Sequence, residues 1–111
     1  MGVTLVNAYL AQPGITDSTL YTCPANTVAK VVKCTVTNDT TTVATISFNK
    51  RPAAAAAGAA NLIMNLRPIG SRETYECPEI VGQVLEATDL LSAIASVADQ
   101  LTVNLDVVEI V

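Results

Sequence analysis

Apolar and polar residues alternate with period two along much of this chain, which is the signature of strands with one buried face. The clearest run is Thr27 to Asn38, where Val32, Cys34 and Val36 fall on one face and Lys33, Thr35 and Thr37 on the other. That parity predicts Val32, Cys34 and Val36 as inward. Lys30 shares the apolar parity, so a bulge or an exposed strand end is expected near it. Asn38-Asp39-Thr40 then turns the chain, and Thr42 to Lys50 follows with Ala44, Ile46 and Phe48 inward and Thr45, Ser47 and Asn49 outward. Two such runs with a short polar connection predict a hairpin.

The remaining runs are shorter. Val3 to Leu10 alternates weakly and reads as a strand or an arm; Gln12-Pro13-Gly14 breaks it. Thr19 to Cys23 is strand-like and stops at Pro24, as Thr74 to Cys77 does at Pro78. Asn61 to Leu66 is a short apolar strand ended by Pro68 and Gly70; Ile80 to Leu85 and Leu90 to Val97 are two more. Leu101 to Val111 closes the series with Leu101, Val103, Leu105 and Val107 inward, and from Val108 onward apolar residues fall on both faces (Val108 and Ile110 on one, Val111 beside Glu109 on the other), which predicts an end covered on both sides. Pro52 to Ala60 is alanine-rich and reads as a loop or single helical turn, or as a close-packing segment at a subunit contact.

Eight or nine short strands punctuated by Pro, Gly and Asn-Asp, with no amphipathic helix, predict an all-β fold: an antiparallel β-sandwich, jelly-roll-like, of about eight strands. Tyr21-Thr22-Cys23-Pro24 recurs as Tyr75-Glu76-Cys77-Pro78, 54 residues later, as expected of two related halves. The division expected is an N-terminal arm or strand over residues 1–18 and a single sandwich domain over 19–111.

Composition narrows the function. The 111 residues carry 6 basic and 10 acidic side chains, a net charge of −4, and no histidine. Without histidine the usual general base and the commonest metal ligand are missing. Net acidity and scattered basic pairs (Lys30/Lys33, Lys50/Arg51, Arg67/Arg72) argue against a nucleic-acid surface. Charged residues make up 14% of the chain, against about 25% in an ordinary soluble domain, and mean hydropathy is +0.44. No apolar run approaches the roughly 18 residues of a membrane span, so no membrane partner is expected. A surface short of charge and rich in Thr and Ala is one that other protein covers.

No catalytic constellation emerges. Glu73, Glu76 and Glu79 are the only acidic cluster, and their spacing of three sends neighbours to opposite faces of a strand. Cys23, Cys34 and Cys77 match no zinc spacing and read as buried small side chains, with one disulfide as the alternative. The start of the chain has no signal-peptide pattern, and Asn38-Asp39-Thr40, formally a glycosylation sequon, reads as a turn. No enzyme activity, cofactor or metal is expected.

Leu20 to Lys33, Thr37-Asn38, Ser71 to Cys77, Ile80 to Asp89 and Leu101 to Ile110 together resemble the two halves of small β-sandwich proteins found in tailed-phage virions. The likeness covers most of the chain from Leu20 onward. Cys23 departs from the family's aliphatic residue, and Thr88 stands where a glycine usually precedes the aspartate. The resemblance implies a structural virion protein, assembled in the host cytoplasm: a capsid decoration (cement) protein, or else a tail- or fibre-associated module. A glycan- or receptor-binding sandwich is the rival from another class. The implied partners are the major capsid protein or another virion protein and further copies of the chain as a dimer or trimer. Candidate contacts are Val3, Leu5, Val6, Tyr9 and Leu10 in the first segment, Ala55, Ala57 and Ala59 in the alanine-rich segment, and Val108, Ile110 and Val111 at the end.

Overall fold

The computed structural model describes residues 2–53 and 55–111; Ala54 of the alanine-rich segment and Met1 lie outside the described residues. Among the described residues nine strands form two antiparallel sheets: β1 (Val3–Ala11), β2 (Ser18–Thr22), β3 (Val28–Asn38), β4 (Ala44–Arg51), β5 (Leu62–Ile69), β6 (Thr74–Tyr75), β7 (Val84–Leu85), β8 (Leu90–Ala95) and β9 (Leu101–Ile110). The first sheet runs β1-β9-β3-β6, with β7 also on β3, and the second runs β2-β8-β4-β5. Pairing is nested: β1 with β9, β2 with β8, β3 with β6 and β7, β4 with β5. That nesting is the jelly-roll topology. Inward residues of both sheets, among them Val31, Val36, Ile46, Phe48, Leu91, Leu105 and Val107, make one core.

Several local expectations are corrected by the pairing. The runs around Asn38 do not form a hairpin: β3 lies in the first sheet and β4 in the second. The connection crosses between sheets because the buried Asn38 amide bridges the carbonyls of Thr42 and Ile69, while its oxygen accepts from the Thr40 backbone N–H and hydroxyl. Burial also removes the sequon from use, since Asn38 is 0% exposed. In β3 the inward set is Ala29, Val31, Cys34, Val36 and Asn38, and Val32 is 45% exposed. A bulge between Val31 and Lys33 inserts one residue against β9 and flips the parity below it. Lys30 signalled that bulge correctly but Val32, not Lys30, is the extra residue.

Pro68 does not end a strand; it sits within β5, an edge strand, where a missing N–H is tolerated. Ile80 to Leu85 is a strand only at Val84–Leu85. Before it the chain winds through turns (Ile80 N–H to Cys77 C=O, Gln83 N–H to Ile80 C=O) and reverses at Gly82, whose φ is +94°. Thr88, in the glycine position of the resembled family, has φ +72°. With Asp89 N–H bonded to Glu86 C=O, it occupies the third position of a type II turn, which glycine fits without strain.

Candidate interaction face

The registers set the outer face of the first sheet row by row, because directly opposed residues share a face. Val3, Ile110 and Val28 form one row; Leu5, Val108, Lys30 and Val84 form the next; Asn7, Asp106 and Lys33 the third. Val32, pushed outward by the bulge, projects beside the third row. At one end of the sandwich this face is therefore apolar and open: Val3 is 66% and Leu5 79% exposed, and Val28, Val32, Val81, Val84 and Ile110 are exposed with them. Val108 to Val111 is not covered on both sides, since the outer side of this end is open.

Val32 is a ridge between two depressions. One, about 420 Å³, is lined by Val32, Lys33, Cys34, Glu76, Pro78 and Val81. It lies where residues 76–81 loop away from β3, before Gly82 and Gln83 return to bond Val31. The other, about 240 Å³, is lined by Leu5, Val6, Asn7, Val32, Asp106 and Val107. Polar groups fence the apolar rows on one side: the Asn7 amide donates to Asn104 Oδ1 at 2.9 Å and Asp106 Oδ1 at 2.6 Å, and Lys33 approaches Glu76 at 4.0 Å.

The second sheet is covered in part by its own chain. Its outer row carries Thr19, Ser92, Asn49 and Leu62. Asn49 donates to Gly58 C=O and to Asn61 Oδ1, and Arg51 donates to Ala55 C=O, so the segment after β4 is tied across this face. Beneath it Asn49 and Ser92 are buried although they point outward. Ala59–Asn61 makes one 3-10 turn.

The candidate contacts thus separate into four groups. Val3, Leu5, Val108 and Ile110 are brought together on the open face, with Val111 beyond the end of β9. Leu10 is exposed but sits past a bulge, opposite Asn104. Val6 and Tyr9 take the inward parity and are half-buried against the core, Val6 also lining the second depression. Ala55, Ala57 and Ala59 lie on the other sheet. Of the two readings of the first segment, strand or arm, the structure has the strand: β1 is an edge strand paired with β9 from Val3 to Ala11. Val28, Val32, Val81 and Val84 were missed: the bulge in β3 reverses the side of Val28 and Val32, and the turns before Val84 break the register of a strand read from Ile80.

The acidic cluster does not converge. Glu73 accepts from the Gly70 N–H, Glu79 from the Tyr75 hydroxyl, and Glu76 faces Lys33. The three cysteines are buried and free. Cys34 lies against Cys77, and that neighbour together with burial pushes its thiol well above the ordinary range. Among the described residues no group of three His, Cys, Asp or Glu could hold a metal ion, and no helix is long and apolar enough to cross a membrane. No protein-family model, curated protein or solved structure matches this chain.

Proposed function

We propose that this chain is a non-enzymatic structural protein of a tailed-phage virion, a decoration module that docks on the assembled capsid shell. The observation that carries the reading is the asymmetry of the two outer faces. One has the chain's own alanine-rich segment tied across it at Asn49 and Arg51; the other leaves Val3, Leu5, Val28, Val32, Val84 and Ile110 open at one end. Burying such a side chain fully is worth about 1.5–3 kcal/mol, so a handful of them supports a modest affinity. Repetition on a symmetric shell multiplies that affinity. A module that binds only the closed shell stabilises it by mass action.

The test uses particles lacking the chain, mixed with purified protein. Wild type is expected to bind heads and raise the temperature at which they release DNA. Val28→Lys, Val32→Lys and Val84→Lys, on the open face but away from the β1 edge, are expected to lose at least about tenfold in affinity, as expected for about 1.4 kcal/mol or more. Asn65→Lys, on the other sheet, is expected to bind normally. Normal heads with missing tails in particles lacking the chain would instead place it on the tail; binding to an oligosaccharide array with no particle binding would select the glycan reading.

A further inference from the structure

We infer that β1 pairs with the β1 strand of a second copy across a two-fold axis at Leu5, continuing the first sheet from one subunit into the next. The inference deepens the reading above by naming how copies meet, but rests on separate observations.

The first is the hydrogen-bond phase of β1. Gly2 and Val111 exchange both backbone bonds. The register runs regularly from Val3↔Ile110 to Asn7↔Asp106. In an antiparallel ladder bonded and non-bonded pairs alternate. Thr4 and Val6 therefore spend their backbone groups on β9, and Val3, Leu5 and Asn7 aim their N–H and C=O groups away from it, at the free edge of the sheet. Among the described residues none of those outward groups has a backbone partner.

The second is self-complementarity. A two-fold at Leu5 places Leu5 opposite its mate and Val3 opposite Asn7 of the second copy. All three pairs are then of the bonded type, each exchanging two N–H···O=C bonds, and all three put side chains on the same face. The strand VTLVNAYLA has no charged side chain and no proline, so nothing repels its own copy. A bulge between Asn7 and Tyr9 ends the regular stretch and fixes its length.

The third is exposure. At 79% Leu5 is the most exposed of the large apolar side chains, and it sits at the point of symmetry. The paired stretch is short beside the roughly 1,600 Å² of a standard stable interface, so the dimer is concentration-dependent. On a shell it would couple two open faces into one bivalent unit.

Sedimentation velocity of the free chain, from about 5 µM to about 1 mM, reads this directly; a midpoint in the micromolar range is expected. Leu5→Pro deletes an edge-facing N–H without touching the β9 ladder and is expected to shift the midpoint at least about tenfold, with the circular dichroism spectrum unchanged. Leu5→Ala, which keeps that N–H, is expected to dimerise more than Leu5→Pro. Val32→Lys, on the open face, is expected to dimerise as wild type does. A wild type that stays monomeric to about 1 mM overturns the pairing, as does a dimer lost in Val32→Lys but kept in Leu5→Pro. No particle is present, so failure here leaves shell binding to its own experiment.

Discussion

β1 and β5 are both long strands at the edge of a sheet, and they end their sheets differently. β5 is guarded. Leu66 sits in the left-handed region at φ +49°, at a register break that bends the strand, and its N–H is taken by Ser47 Oγ at 2.8 Å. Pro68 has no N–H to offer. Arg67, opposed to the inward-facing Ile46, turns its guanidinium between the sheets, 4.2 Å from the centre of the Tyr75 ring. A bulge, a proline and an inward-pointing charge are three recognised ways to keep another strand from adding to an edge. β1 uses none of them over Val3 to Asn7. The other edges are short: β2 has five residues, and β6 and β7 two each. One long edge carries three such devices and the other none, the contrast from which the pairing at β1 is inferred.

The contrast breaks most visibly with proline. Thr4→Pro removes an N–H that bonds β9 and strands the Glu109 carbonyl, so it is expected to lower stability by roughly 3 kcal/mol in urea denaturation. Leu5→Pro, one residue away, is expected to stay within about 1 kcal/mol of wild type. Equal losses would mean that the backbone phase assigned to β1 is wrong. On the guarded edge, Ser47→Ala leaves the Leu66 N–H without its partner and is expected to lose about 1–2 kcal/mol. Leu66→Gly relieves the left-handed leucine and is expected to gain up to about 1 kcal/mol in the same assay.

The smallest effect is one of pH. The Tyr75 phenol is pushed up to about 12, first by its bond to Glu79 and then by burial. Its contribution to stability is complete below the ordinary phenol value of 10.0 and is lost as pH rises through about 12. Absorbance titration of the phenolates, run beside an unfolding probe, is expected to show late ionisation there. Glu79→Gln is expected to bring Tyr75 back toward its ordinary range.

Much of this was legible in the sequence. Period-two patterning carries the identity of the core strands and the two faces of β9 from Leu101 to Val107, whereas the weak alternation of β1 left its two faces unseparated. What it could not carry is anything set by pairing partners. One extra residue in β3 reverses the side to which Val32 points. An amide at Asn38 sends β4 to the other sheet because its partners lie at Thr42 and Ile69, one of them far along the chain. Asn49 reads as outward and is nonetheless buried, because the end of the alanine-rich segment is bonded to it at Gly58. The open face therefore could be half seen: its first- and last-strand members were visible, while Val28, Val32, Val81 and Val84 depended on a bulge and a turn.

The nesting of first strand with last has a kinetic consequence. Asn7 and Asp106, which share a 2.6 Å bond, are 99 residues apart in the chain. Closing so large a loop is entropically slow, and folds dominated by such distant pairings fold in milliseconds to seconds. During synthesis β1 emerges early and waits, uncharged, until β9 leaves the ribosome to claim it. In that interval both of its edges are bare, so crowded ribosomes making this chain side by side are where premature aggregation would begin.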